Sequence, residues 1–132
     1  MNLKLSSITL LVRDLDKAVE FYTEVLPFRL KTTGYKNAQL HYVQIGTGKF
    51  RDSEIQLKLA ETEAEKKVIG KQSADSPFLT LESTDCEKDF KEFQLNSHLV
   101  LSEFIHNSFS MKDVSGNQIK IIQAKPYDTY SI

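Results

Sequence analysis

The chain has 132 residues, 40% hydrophobic and 27% charged, which suits one compact domain or two small half-modules and excludes a disordered or fibrous chain. Its 17 Lys and Arg against 18 Asp and Glu leave a net charge of -1, which argues against a broad electrostatic footprint for nucleic acid. Cys86 is the single cysteine, so an intrachain disulfide and a zinc site of the Cys-x-x-Cys type are excluded.

Residues 3–13, LKLSSITLLVR, are rich in aliphatic and β-branched side chains and read as a strand. The short apolar stretch there lacks a small-residue cleavage site, so a strand is expected rather than a signal peptide. No apolar run approaches the roughly 18 residues that span a bilayer. A soluble cytoplasmic protein without a membrane partner is the expectation. Asp14 offers an N-cap, because its carboxylate can accept a first-turn N–H. Leu15, Ala18, Val19, Tyr22, Val25 and Leu26 follow in steps of three and four, one helical stripe that Pro27 ends.

A strand around 28–33, a turn at Gly34 to Asn37 and a strand over 38–45 come next, then a loop, GTGKFRD. EIQLKLA, residues 54–60, alternates strictly, Ile55, Leu57 and Leu59 against Glu54, Gln56 and Lys58, as a half-buried strand does. Residues 61–76 are charged and read as a surface connection with one short helix.

The pattern then restarts. PFLTLESTD reads as a strand, and Thr84 with Glu87 has the spacing of a capping box. The helix that follows sets Cys86, Phe90 and Phe93 on one stripe. Strands are expected around 98–105 and 108–113, then a turn at Val114 to Asn117, a last strand QIKIIQA and a peripheral tail, KPYDTYSI.

Shifted by 71 positions, SITLLVRDLDKAVEFY falls on FLTLESTDCEKDFKEF: Ile8 on Leu79, Leu10 on Leu81, Asp14 on Asp85, Lys17 on Lys88. EIQLKL resembles NQIKII in the same way, with Ile55 on Ile119 and Gln56 on Lys120. Each half reads strand–helix–strand–strand–strand. The expectation is an α+β fold of two βαβββ modules, residues 1–60 and 77–124, joined by a linker over 61–76 and ending in a tail over 125–132. One face of the strands (Ile8, Leu10, Ile55, Leu57, Leu79, Leu81, Ile119, Ile121) would meet the helices. The other carries Ser7, Thr9, Gln56, Lys58, Phe78, Thr80, Glu82 and Lys120, and period-2 alternation does not distinguish a solvated face from a wet pocket.

ITLLVRDLDKAVEFYTEVLPF resembles the opening strand, Asp-Leu turn and helix of the glyoxalase/bleomycin-resistance/dioxygenase group, the vicinal-oxygen-chelate superfamily. MKDVSGNQIKIIQ resembles its Asp-x-x-Gly-Asn turn and last strand, and GKQSADSPFLTLESTD the start of its second module. Pro27 stands where the family has Gly. The likeness runs from Leu5 to Gln123. It implies a curved, mostly antiparallel sheet around a cavity, helices on its outer face, and commonly a homodimer. It also implies one metal ligand from each of four strands, and these positions fall on Ser7, Gln56, Phe78 and Lys120. Phe has no donor atom, a protonated Lys repels a cation, and Ser and Gln are weak ligands. A catalytic metal needs about three good protein ligands. The three histidines, His41, His98 and His106, show no metal-ligand spacing and read as surface or core residues. Asp113 and Asn117 read as turn formers, and Cys86 as a small buried hydrophobe.

No cofactor and no metal are therefore expected. The leading expectation is a small-molecule-binding member with a ligand cavity between the modules, lined by Ser7, Thr9, Gln56, Lys58, Phe78, Thr80, Glu82 and Lys120. Lys58 and Lys120 would engage an anionic or carbonyl-bearing group. Three alternatives stay open. One is a glyoxalase-like lyase, isomerase or dioxygenase with a non-standard site, such as acid/base work by Glu54 or Glu82, although pairing of these with Lys58 and Lys120 across the sheet is the plainer reading. Another is an antibiotic-sequestering protein, against which the two lysines count if the drug is cationic. The third is an interaction protein whose cavity Phe78 fills.

Overall fold

The structure is a computed structural model and describes residues 1–47 and 53–125. It divides into two compact units, Met1–Gln72 and Ser73–Ile132, each built on a four-stranded sheet of mixed direction. Most of the GTGKFRD loop and all of the tail beyond Lys125 lie outside the described residues.

In the first unit β1 (Ser7–Val12) leads to α1 (Leu15–Glu20), which runs on as a π-helical turn over Phe21–Val25. The Asp14 carboxylate accepts the Lys17 N–H at 3.0 Å and starts the helix. The π turn closes through Leu26 N–H to the Phe21 carbonyl, 3.2 Å. The wider turn rotates the stripe, so Phe21 joins Leu15, Ala18, Tyr22 and Leu26 in the core, whereas Val19 and Val25 are only half-buried. Tyr22 is fully buried between Phe21 and Phe28, with both rings edge-on at 5.3 and 5.8 Å. Leu26, ahead of Pro27, is extended, with φ -106° and ψ 162°, and the helix stops there.

β2 (Arg29–Lys36), β3 (Gln39–Gly46) and β4 (Glu54–Leu59) complete the sheet in the order β1-β4-β3-β2. β2 and β3 form a hairpin whose turn is Asn37-Ala38, both left-handed at φ 52° and 64°. The expected turn at Gly34 is therefore displaced: Gly34 lies within β2. Two left-handed residues match the twist of a hairpin, which is why the chain turns there. The charged connection holds one short helix, α2 (Glu63–Val68), begun by a capping box between Thr62 and Glu65.

The second unit repeats the plan. β5 (Leu79–Ser83), α3 (Cys86–Gln94), β6 (Val100–Leu101), β7 (Ser108–Lys112) and β8 (Gln118–Gln123) give the order β5-β8-β7-β6. The residue-level repeat holds. Asp85 caps α3 through the Lys88 N–H, 3.2 Å, as Asp14 caps α1 through Lys17. Ile8 pairs with Ile55 in the first sheet where Leu79 pairs with Ile119 in the second. The cap is one residue later than the Thr84–Glu87 box implied. Ser83 is the reason: its hydroxyl accepts the Asp85 N–H at 3.0 Å and donates to the Asp89 carboxylate, so it fixes the turn that Thr84 was expected to make. β6 is also shorter than expected, and residues 102–104 run outside any strand to a tight hairpin at His106-Asn107, both at positive φ.

Each sheet buries one face. Leu10, Val12, Val43, Ile45, Ile55 and Leu57 form the core of the first unit with its helix. Phe109, Met111, Ile119 and Ile121 with Cys86 do so in the second, where the Phe90 ring packs against Phe104, tilted, at 5.3 Å and edge-on against Phe109 at 5.1 Å. Burial of each such aliphatic or aromatic side chain contributes about 1.5–3 kcal/mol. Leu79 and Leu81 share this face but are only half-buried, and Ile8, at the start of β1, is 40% exposed.

Candidate functional site

Because the helices cover one face of each sheet, the candidate residues stand on the other. In the first unit the strand register sets them in cross-strand rows. Thr9 pairs with Gln56, Gln56 with Gln44, and Gln44 with Thr32. The next row runs Leu11, Lys58, Tyr42, Gly34. Ser7 pairs with Glu54 at the end of the sheet.

Hydrogen bonds knit this face only partly. The Thr9 hydroxyl donates to Gln56 Oε1 at 3.4 Å, and Gln44 Nε2 donates to Glu54 Oε1 at 2.8 Å. Among the described residues the Gln56 amide nitrogen has no protein acceptor. The Tyr42 ring lies directly over Gly34, where a Cβ would sit 1.9 Å from Tyr42 Cε1. The missing side chain of Gly34 is thus what seats the ring against the sheet.

Lys58 does not pair with Glu54, contrary to the cross-sheet expectation. Its ammonium is 2.9 Å from Glu65 Oε2 on α2 instead. The same Glu65 accepts the N–H groups of Glu61 and Thr62. The Glu61 N–H, the Lys58 ammonium and the Thr62 N–H, in that order, hold its carboxyl down from 4.5 to about 2. Beside it, Glu61 takes His41, with Nδ1 to Oε1 at 2.6 Å, and Lys36 at 3.7 Å. His41 is thereby oriented through its Nδ1 by the Glu61 carboxylate.

The second unit repeats the arrangement with other chemistry. Thr80 pairs with Lys120 and Lys120 with Ser110; Glu82 pairs with Ile122 and Ile122 with Ser108. Phe78 stands just before β5, in phase with Thr80, and its N–H donates to the Gln118 carbonyl at 3.1 Å. Glu82 is exposed and forms no ion pair with Lys120, so this second cross-sheet pair is absent too. A hollow of about 440 Å³ opens on this face beside Lys120, Ser110, Ser108, His106 and Glu103.

Asp113 and Asn117 act within the turn. Asp113 Oδ1 accepts the N–H groups of Ser115 and Asn117, both at 2.9 Å, and Oδ2 accepts Asn117 Nδ2 at 3.0 Å. Gly116, at φ 86°, completes the turn. Cys86 is fully buried; burial first, then the charges of Asp89 and Asp85, push its thiol up.

The four positions that the sequence resemblance assigns to metal ligands carry side chains that do not fit a divalent metal. Ser7 and Gln56 are neutral, Phe78 has no donor, and Lys120 is a cation. A slip of one residue along β4 or β8 brings in Ile55, Leu57, Ile119 or Ile121, all packed into the core. Among the described residues no group of three or more His, Cys, Asp and Glu side chains is placed to bind a metal elsewhere.

Sequence reasoning missed Gln44 and Tyr42, the β3 members of the polar face. The signal is in QLHYVQIG, where Leu40, Tyr42 and Gln44 alternate with His41, Val43 and Ile45.

Residues 4–121 match the family described as Glyoxalase/Bleomycin resistance protein/Dioxygenase superfamily. Solved structures share the fold at low identity. UcmS2 matches with 19% identity and a TM-score of 0.72, covering 92% of this chain and 98% of that one. TnmS3, an antibiotic binding protein from Streptomyces sp. CB03234, matches with 18% identity and a TM-score of 0.66, covering 94% and 98%. The trypanothione-dependent glyoxalase I of Leishmania major matches with 14% identity and a TM-score of 0.71, covering 92% and 87%. No curated protein matches the chain in sequence.

Proposed function

The chain belongs to the glyoxalase/bleomycin resistance protein/dioxygenase superfamily, and from that membership we propose that it binds a small organic molecule on the polar faces of its sheets without a metal ion. The observation that carries this reading is the row Thr9–Gln56–Gln44. Solvated sheet faces are commonly covered by opposed charges. Here uncharged donors and acceptors occupy adjacent strands, half-buried at Gln44 and Gln56, with an aromatic ring seated in the next row. Uncharged hydrogen-bonding groups beside a seated aromatic ring are the kind of groups that orient an organic ligand. The antibiotic-binding role of TnmS3 supports the same class of ligand on the same fold. The donor set at Ser7, Gln56, Phe78 and Lys120 supports metal independence.

The test is a thermal-shift and ligand-detected NMR screen of small aromatic and carbonyl-bearing compounds, run with and without EDTA. Hits are expected to bind equally in both conditions and to lose about fivefold or more in affinity in Gln56→Ala, the size of one lost ligand hydrogen bond. Hits that vanish with the chelator, or that ignore both Gln56→Ala and Gln44→Ala, overturn the proposal.

A further inference from the structure

The two lysines expected at the site differ in one respect that sequence does not show. Lys58 is neutralised by Glu65 at 2.9 Å. Lys120 has no acidic partner among the described residues. It sits on β8, a central strand, with β5 on one side and β7 on the other. The hydroxyl residues Thr80 and Ser110 flank it at paired register positions. The side chain is half-buried and lines the hollow of about 440 Å³ together with Ser110, Ser108 and His106. Glu103 lies on the same hollow, exposed and outside ion-pair distance of Lys120.

An ammonium on a central strand, flanked by hydroxyl donors and lacking a protein counter-charge, lacks only an anion. A ligand anion there gains a charge-assisted bond that is stronger on a partly desolvated sheet face than at an open surface. We propose that Lys120, with Ser110 and Thr80 beside it, is a subsite for an anionic oxygen group, carboxylate or phosphate, of a small ligand. This rests on the small-molecule reading above and adds the ligand's charge.

The experiment is a titration of the isotope-labelled full chain, followed by amide NMR, with three probes that share a phenyl ring: benzoate, its neutral isostere benzamide, and phenyl phosphate. Benzoate and phenyl phosphate are expected to shift the amides of Ser110, Lys120 and Thr80, more weakly as salt rises, and benzamide to leave them unmoved. The order of the two anions tells carboxylate from phosphate. Lys120→Met should weaken the anions at least fivefold, while Lys120→Arg should retain them within about threefold. Circular dichroism confirms that both variants fold. Equal binding of benzamide and benzoate, or anion binding that survives Lys120→Met, overturns the proposal. Benzamide shifts at Thr9, Gln44 and Gln56, with no shift at Lys120, Ser110 or Thr80 from either anion, would sustain the small-molecule reading and reject the anionic one. Anion shifts at Lys120 that are lost in Lys120→Met, without any neutral ligand on the first sheet, would sustain the anionic subsite and reject the row Thr9–Gln56–Gln44 as the place where the ligand binds.

Discussion

The Lys58 ammonium and the Glu65 carboxylate, 2.9 Å apart, join a strand of the first sheet to the helix that follows it. Glu65 also closes the capping box of that helix with Thr62, so one carboxylate holds a helix start and a strand together. Its depressed pKa, about 2, makes this junction a source of stability that depends on pH. A carboxyl whose folded pKa lies below its unfolded one contributes fully above the unfolded value and loses that contribution as pH falls through the folded one. The stability difference between wild type and Glu65→Gln should therefore be constant above about pH 5 and shrink toward pH 2. Urea midpoints of both proteins across that range check this. A difference that does not change with pH would show that the carboxylate charge contributes nothing.

The turn that leads into β8 predicts a larger effect. Asp113 accepts three hydrogen bonds while only 6% exposed, and Asn117, 2% exposed, supplies two of the donors. Asp113→Ala removes both acceptor oxygens, and with them these three hydrogen bonds, from a buried turn and should cost about 3 kcal/mol in denaturant unfolding. A cost below about 1 kcal/mol would mean that the turn re-forms without the carboxylate.

The hairpin at Asn37-Ala38 contains a correctable strain. Ala38 is left-handed at φ 64°, a conformation that costs an alanine about 1 kcal/mol and a glycine almost nothing. Ala38→Gly should raise stability by roughly that amount, read as a shift in the thermal or urea midpoint. No gain, or a loss, would count against the turn as described.

Gly34→Val should act through Tyr42. The new side chain would occupy the place of the ring, which must swing off the sheet. The expected result is a loss of about 1–2 kcal/mol and a changed tyrosine emission, together with weaker binding of any ligand that stacks on the first sheet. Unchanged emission would place the ring elsewhere.

Cys86 should resist thiol reagents in the folded protein, since it is fully buried and its thiol is pushed up by burial and by Asp89 and Asp85. Modification at neutral pH is expected to be slow and to accelerate many-fold in denaturant. Rapid labelling of the native chain would show that α3 opens readily.

Much of this was legible in the sequence because it is local. The caps at Asp14 and Asp85 depend on contacts three residues away, and the faces of β1, β4 and β8 follow from alternation alone. Features that depend on a second segment were not. Gly34 attracts a turn assignment, but its role comes from Tyr42 across the hairpin, so the strand simply continues through it. Thr84 and Glu87 have capping-box spacing, yet the Asp85 carboxylate accepts the Lys88 N–H and starts the helix one residue later, while Ser83 holds the turn before it. At the site, parity placed Lys58 and Lys120 on equivalent faces. Only the position of α2 reveals that one is already paired, because nothing in strand periodicity specifies where a following helix docks.

Gln72 carries one more implication. Its side-chain amide accepts the Leu11 N–H at 2.8 Å and donates to the Leu11 carbonyl at 3.0 Å, across 61 positions of chain. β1 is an edge strand of its sheet, and this one side chain imitates a neighbouring strand at that point. Excising the first half as an independent fragment is therefore governed by position 72 and not by the end of β4 at Leu59. A fragment cut after β4 would leave the edge open to other chains and would be the version prone to self-association. One that retains Gln72 takes its own edge protection with it.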